Sequence, residues 1–245
     1  MIPKIIWQTH EDSFDQLPDY VLKVVETWKK NNPTWDYKYF NAKDREDFIL
    51  KEFGKDWYNL YNKCLFGAMK ADVWKVLIVY KYGGVYSDID YTCNKPIEYW
   101  LDNKYSMVVG MDEVKNEIAC HTFASTPNNK ILESVVNTIK KNLEKLVYDV
   151  KLFSYEYTGP IAFTKGIKNY FNIKEELDLL NNLEILNNLE SAINEKFYCY
   201  GADNHEMFTY DAFTHMDGRK NWFDAKYDWL IESEQMFKER NNSDS

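Results

Sequence analysis

The chain has 245 residues, of which 45% are hydrophobic and 28% charged, and its formal net charge at pH 7 is −9. These fractions are typical of a folded globular protein and exclude a wholly disordered chain. The acidic balance argues against a nucleic-acid partner, because phosphate backbones are bound by basic surfaces. No run approaches the ~18 consecutive apolar residues of a membrane-spanning helix, so no integral membrane segment is expected.

Strand and helix patterns alternate along the first part of the chain. Apolar or alternating runs predict strands at 2–9, 35–40, 84–90 and 105–111. Apolar stripes at helical spacing predict helices at 18–31, 44–53, 66–80 and 129–146. This alternation predicts an α/β fold with a mainly parallel central sheet and peripheral helices. Ligands of such sheets bind at the carboxyl ends of the strands.

The domain organisation is predicted to be simple, because no linker divides the chain. Residues 1–232 are expected to form a single domain, followed by a polar tail at 233–245. A near-repeat, Asn-Asn-Leu-Glu, occurs at 181–184 and again at 187–190. It predicts a peripheral helical insertion over about 172–195.

The N-terminus and the cysteines bear on the cellular compartment. The first residues lack the long apolar core and the cleavage site of a signal peptide. The cysteines form no CxxC pair, which predicts free, mostly buried thiols at Cys64, Cys93, Cys120 and Cys199. The expectation is a cytoplasmic protein, either free in solution or peripheral to a membrane.

A pair of carboxylates follows a glycine-rich turn. Gly83 and Gly84 let the backbone turn out of the preceding helix, and alternation along the next strand puts Tyr86, Asp88 and Asp90 on one face. Close carboxylates repel one another unless a cation joins them, and their hard oxygens suit Mg²⁺ or Mn²⁺. The alternative interpretation is a solvated loop that carries two ordinary acidic residues.

Two opposite charges lie on the apolar helix before this strand. Asp72 and Lys75 are three residues apart and therefore share a helical face. They can pair with each other, or they can point at a polar ligand, with the aspartate accepting from sugar hydroxyls and the lysine donating.

Segment 68–90, which holds these residues, resembles the signature of glycosyltransferase family 32, the DXD-containing sugar transferases that include fungal α-1,6-mannosyltransferases. Three further segments fit the family in order: Ile-Pro-Lys-Ile-Ile-Trp-Gln-Thr at 2–9, Tyr-Thr-Gly-Pro at 157–160, and a histidine followed by Asn-Trp at 215–222. The resemblance implies a GT-A fold and a divalent metal, Mn²⁺ or Mg²⁺. It also implies that a hexose or N-acetylhexosamine passes, with retention of anomeric configuration, from a UDP- or GDP-linked donor to a glycan hydroxyl.

The resemblance also implies roles for individual residues. Asp90 would bind the metal directly, Asp88 would reach the ribose and the metal's shell, and Asp72 would hold donor-sugar hydroxyls. Lys75 would neutralise the departing diphosphate. The expected donor contacts are Trp7, Gln8, Thr9, Asp72, Lys75, Tyr86, Asp88, Gly159 and Trp222. The expected metal ligands are Asp90, Asp88 and His215, with Asp217 and Asn221 as alternatives to the histidine.

Two of the expected donor contacts, Trp7 and Trp222, are tryptophans. The related clostridial glucosylating toxins carry a tryptophan in the first strand that stacks on the base, which implies the same role for Trp7. The indole N–H of Trp222 either bonds the β-phosphate or simply packs.

The chain departs from the family pattern at three positions. Lys75 replaces an arginine, Trp7 replaces a histidine and Asn221 replaces a serine. A lysine is a point charge without the bidentate fork of arginine, so contacts to the donor are expected to differ. These departures leave open a non-catalytic nucleotide-sugar or glycan-binding domain with a degenerate site. A metal-dependent phosphoester hydrolase that uses Asp88 and Asp90 is the second alternative.

Overall fold

The computed structural model describes residues 1–112, 116–146, 156–174, 197–200 and 207–210. The strands in this part of the chain are β1 (Ile5–Thr9), β2 (Asp36–Phe40), β3 (Gly84–Ser87), β4 (Tyr91–Cys93), β5 (Met107–Asp112), β6 (Glu117–Ser125), β7 (Phe197–Tyr200) and β8 (Phe208–Tyr210). The helices are α1 (Asp19–Asn31), α2 (Ala42–Tyr61), α3 (Gly67–Tyr82), α4 (Lys130–Glu144) and α5 (Pro160–Phe171). The predicted insertion at about 172–195 and the polar tail lie almost wholly outside the described residues.

The main sheet is mixed rather than purely parallel. Its strand order is β2-β1-β3-β6-β5-β7, and β4 pairs with β8 in a separate two-stranded sheet. β6 runs antiparallel to both of its neighbours, β3 and β5, whereas the other pairings of the main sheet are parallel. The expected α/β fold with a mainly parallel sheet is confirmed, and the one reversed strand, β6, was not identified by the sequence patterns.

Local signals place the helix boundaries close to the predicted positions. Pro18 is the N-cap of α1, and Asn41 forms a capping box with Asp44 at the start of α2. Gly54 has φ of 80°, so the chain leaves helical geometry where the predicted helix ends. A second helical stretch then continues to Tyr61 and was not predicted.

The sheet separates two apolar cores. Trp7 and Tyr86 point to the side of α3, α4 and α5, whereas their neighbours Ile6 and Val85 point to the side of Trp28 in α1. α3 buries residues all around its axis, since it packs between the sheet, α2 and α4. Two of its buried residues, Asp72 and Lys75, are charged, and they mark the part of the core that adjoins the site.

The thiols of Cys64, Cys93 and Cys120 are buried and free. None of the helices in the described part of the chain is long and apolar enough to cross a membrane.

Candidate functional site

The paired aspartates lie in a turn at the carboxyl end of β3. The strand ends at Ser87, one residue before Asp88, so the prediction that Asp88 and Asp90 continue the strand is wrong. The ladder to β6 holds this end in place, because Asp88 N donates to the carbonyl oxygen of His121 at 2.7 Å. The turn therefore begins where the parallel strands β1 and β3 both end.

The backbone of the turn is fixed by its neighbours. The carbonyl oxygen of Asp88 accepts from Gln8 Nε2 at 3.3 Å and from Ser87 Oγ at 3.2 Å. Gln8 is fully buried, and its Oε1 accepts from the hydroxyl of Tyr37 at 2.9 Å. Gln8, expected to contact the donor, thus uses its amide to hold the turn.

Asp72, Lys75 and Asp88 form one cluster of charges, called here the Lys75 cluster. Lys75 Nζ lies 2.7 Å from Asp72 Oδ1 and 3.7 Å from Asp88 Oδ1. The hydroxyl of Tyr86 donates to Asp88 Oδ1 at 2.5 Å, and Thr158 Oγ1 donates to Asp72 Oδ2 at 3.1 Å. The structure thus brings together α3, the end of β3 and the loop before α5.

Burial differs within the cluster. The side chain of Lys75 is 3% exposed and that of Asp72 is 11% exposed, whereas that of Asp88 is 33% exposed. Burial raises the pKa of Asp72, and the attraction of Lys75 only partly opposes it. Burial acts to lower the pKa of Lys75, but Asp72 and Asp88 outweigh it and leave that pKa well above its ordinary value. Lys75 is therefore a permanent internal cation between two carboxylates.

The residues predicted at the end of β1 are buried. Trp7 is 5% exposed, its indole N–H donates to Gly83 O at 2.8 Å, and its ring packs on Tyr82 and Phe40. So little exposed ring offers almost no surface on which a base could stack, which removes Trp7 from the candidate donor contacts. Thr9 Oγ1 donates to Phe40 O at 2.6 Å and is likewise occupied.

The remaining predicted residues divide into two groups. Gly159 is the N-cap of α5, directly after Thr158, so this helix begins beside Asp72. A helix N-terminus presents free backbone N–H groups and favours anions. The predicted residues His215, Asp217, Asn221 and Trp222 lie outside the described residues.

The carboxylates of Asp88 and Asp90 supply hard oxygen ligands, which are the chemistry that Mg²⁺ and Mn²⁺ prefer. Within the described ranges, no group of three or more His, Cys, Asp and Glu side chains is arranged to hold a metal. The two aspartates therefore fit part of a divalent-metal site, whose remaining ligands would be water, phosphate oxygens of a bound substrate or side chains elsewhere in the chain.

His121 is a site residue that the sequence did not reveal. Its ring stacks on Tyr91 with centroids 4.1 Å apart, and its backbone carbonyl accepts from Asp88. Burial, aided by the charge of Lys75, lowers the pKa of the imidazole to about 3, so the ring is neutral at pH 7. No local pattern marks this residue, because only the pairing of β6 with β3 brings it beside the aspartates.

Comparisons with known proteins match the segment of the chain that holds these residues. Residues 18–107 match the family model described as "Glycosyltransferase sugar-binding region containing DXD motif". The matched segment contains Asp72, Lys75, Asp88 and Asp90. The resemblance to DXD-containing glycosyltransferases is therefore confirmed over the part of the chain that forms the Lys75 cluster.

Individual relatives extend the match. The initiation-specific alpha-1,6-mannosyltransferase of Schizosaccharomyces pombe is 28% identical over 198 residues, covering 70% of this chain and 49% of that protein. The Candida albicans protein of the same name is 35% identical over 107 residues, covering 41% of this chain and 27% of that protein. The chain thus spans about half of the first relative and about a quarter of the second.

A solved structure supports the fold. The PaToxG glycosyltransferase superposes with a TM-score of 0.57 at 16% identity, covering 74% of this chain and 72% of that chain. At this identity the likeness concerns the fold alone, and it confirms the expected GT-A type of α/β architecture.

Proposed function

We propose that this chain is a metal-dependent, retaining glycosyltransferase that moves a hexose or N-acetylhexosamine from a nucleoside-diphosphate sugar to a glycan hydroxyl. The observation that carries the proposal is the Lys75 cluster, which lies at the carboxyl edge of the sheet inside the segment that matches the family model. Ligands of α/β sheets bind at this edge.

The cluster carries surplus negative charge beside the turn. One lysine balances one of the two carboxylates, and Asp90 in the same turn adds another. A divalent cation held by Asp90 and Asp88, with His215, Asp217 or Asn221 as a further ligand, would compensate this charge. When bound, such a cation supplies electrostatic stabilisation of a departing diphosphate.

The protein's own groups would orient the donor. Asp72 keeps lone pairs beyond those that Lys75 and Thr158 occupy, so its carboxylate can accept from sugar hydroxyls. Lys75 is too deeply buried to act as a mobile diphosphate ligand, and its role is to hold Asp72 and Asp88 in fixed positions. The neutral ring of His121 can accept or donate a hydrogen bond at the same edge.

The test combines donor binding with turnover. We expect a thermal-shift panel of UDP- and GDP-linked sugars to show one selective shift that requires Mn²⁺, since a ligand bound only by the folded form stabilises it. The same donor should be hydrolysed slowly in the absence of an acceptor. A selective shift without any turnover would instead support a non-catalytic binding domain, and release of phosphate from simple phosphoesters would support a hydrolase.

A variant pair ties this activity to the site. Asp90→Asn should lower Mn²⁺-dependent donor turnover by at least ~100-fold, because it removes the proposed direct ligand of the cation. Asp47→Asn is the matched control, since Asp47 lies on the surface of α2 in an exposed ion pair with Lys43. Equal turnover in the two variants, with both folded, would contradict the proposed role of the aspartate pair.

A further inference from the structure

A second buried cation lies behind the end of β1. Arg45, in the first turn of α2, is fully buried. Its Nη1 donates to Thr9 Oγ1 at 2.7 Å and to the carbonyl oxygen of His10 at 3.1 Å. Its Nη2 forms a short ion pair with Glu11, and its Nε donates to the hydroxyl of Tyr61 at 3.3 Å. One guanidinium thus contacts three successive residues, the last residue of β1 and the first two of the loop that follows it.

The fork of arginine suits this arrangement. A guanidinium presents five N–H donors in a rigid plane, so it can bond several acceptors that lie in different directions. A backbone bond joins the same parts of the chain, since Ala42 N donates to the carbonyl oxygen of Glu11 at 3.2 Å. The loop after β1 is therefore fixed to the start of α2 through both side chain and backbone.

The carboxylate of Glu11 also faces the start of α3. A Cβ added to Gly67, the first residue of α3, would lie 2.6 Å from Glu11 Oε1, so the carboxylate fills the space over this residue. The N-cap of α3, Phe66, provides no side-chain cap. A negative charge in this place is favoured by the partial positive charge of the helix N-terminus.

The pair of Arg45 and Glu11 stands between the two halves of the site. β1 carries Gln8, which bonds the carbonyl oxygen of Asp88, and α3 carries Asp72 five residues after Gly67. Five residues of helix span only about 7.5 Å. A shift of the loop relative to the start of α3 would therefore change the separation of Asp72 from Asp88.

We propose that Arg45 and Glu11 are positioning residues which hold the loop after β1 against the start of α3 and so set the geometry of the donor site. The functional part of this inference rests on the proposed glycosyltransferase activity. Neither residue contacts the Lys75 cluster, and their effect reaches it through β1 and α3.

The variants separate the positioning role from charge and from general stability. Arg45→Lys keeps the charge but loses the planar fork, and Glu11→Gln keeps the shape but loses the charge. Lys43→Met is the matched control, because Lys43 is also in the first turn of α2 and forms an exposed i,i+4 ion pair with Asp47. The three variants are compared with the wild-type chain at a temperature at which all are fully folded.

Two measurements test the positioning role, namely amide hydrogen exchange and the KM for the donor. In Arg45→Lys and Glu11→Gln we expect amide hydrogen exchange in segments 9–12 and 67–72 to rise by at least about tenfold, because the hydrogen bonds that hold them are weakened. In Lys43→Met the exchange should stay at the wild-type rate. For the donor that the wild-type chain turns over, KM should rise by about tenfold in Arg45→Lys, with a smaller fall in kcat.

The outcomes distinguish this proposal from the proposed function. Unchanged exchange in 67–72 of Arg45→Lys would overturn the positioning role, whatever the activity. Raised exchange with an unchanged donor KM would limit the pair to the scaffold and overturn its role in the donor site. If the wild-type chain turns over no nucleotide sugar, the proposed function fails. The link between the loop and α3 can still be tested in that case, because a wild-type rate of amide exchange in both segments of Arg45→Lys would reject it.

Discussion

Lys75 and Arg45 are both buried cations, exposed by 3% and 0%, but their surroundings differ in charge. Lys75 lies between the two carboxylates of Asp72 and Asp88, so the group as a whole is negative. Arg45 has one carboxylate partner, Glu11, and its other acceptors are neutral. The balanced pair can fix the positions of the chain segments around it, whereas the unbalanced cluster can attract a cation and a polar ligand.

The largest expected effect is a loss of unfolding free energy when Lys75, the cation of the Lys75 cluster, is replaced. Lys75→Met leaves Asp72 and Asp88 without compensation, and breaking a buried ion pair from one side costs about 3–5 kcal/mol of unfolding free energy. Urea denaturation measures the loss against Lys43→Met, which removes only an exposed surface ion pair and should change the unfolding free energy little.

Added Mn²⁺ sharpens the comparison of the two buried cations. It should restore part of the lost stability in Lys75→Met, because a divalent ion can replace the missing charge beside the carboxylates. In Arg45→Met, where a single carboxylate remains, half-exposed to water, it should add no more stability than it adds to the wild-type chain. Equal recovery in both variants would contradict the distinction between an unbalanced cluster and a balanced pair.

The sequence predicted the residues of the cluster better than their arrangement. Helical spacing puts Asp72 and Lys75 on one face, and the turn after Gly83 and Gly84 places Asp88 near the end of a strand. These are local relations, and they follow from the periodicity of helices and strands. The resemblance to the glycosyltransferase family supplied the functional interpretation of these residues.

The parts that the sequence did not predict depend on long-range pairing. β6 lies antiparallel between β3 and β5, and no local pattern specifies that partner for a strand. His121 reaches the site only through this pairing. The resemblance implies a stacking role for Trp7, but aromatic rings serve cores as well as stacking, and packing against Phe40 and Tyr82 decides for the core.

An effect of intermediate size is expected on the pH dependence of stability, and it comes from His121, the neutral histidine beside the Lys75 cluster. The pKa of His121 is lowered to about 3 by burial and by Lys75, against 6.5 for the free side chain. Between pH 6.5 and pH 3 the unfolded chain therefore binds a proton that the folded chain does not. The unfolding free energy that depends on the neutral imidazole is fully present above pH 6.5 and is lost as the pH falls from 6.5 towards 3. Between pH 7 and pH 5 the loss amounts to about 2 kcal/mol.

Replacing the imidazole isolates this contribution from the other titrating groups. His121→Asn has no proton to bind in that range, so its unfolding free energy should fall by about 2 kcal/mol less than that of the wild-type chain over the same interval. Urea denaturation at pH 7, 6 and 5 provides the measurement. Parallel curves for the two proteins would show that His121 is not held in its neutral form by the fold.

The smallest expected effect tests whether a hydrogen bond in the Lys75 cluster affects donor binding in a way that a hydrogen bond elsewhere does not. Tyr86→Phe removes the hydroxyl that donates to Asp88. Tyr80→Phe, near the C-terminal end of α3, removes one that donates to Glu133 of α4. Each variant should lose about 1 kcal/mol of unfolding free energy, the usual net contribution of one hydrogen bond. Only Tyr86→Phe should also raise the KM for the donor, because only its partner lies in the proposed site. A rise of the same size in both variants would mean that KM follows general stability, and the unbalanced charge at Asp88 would then have no special part in binding.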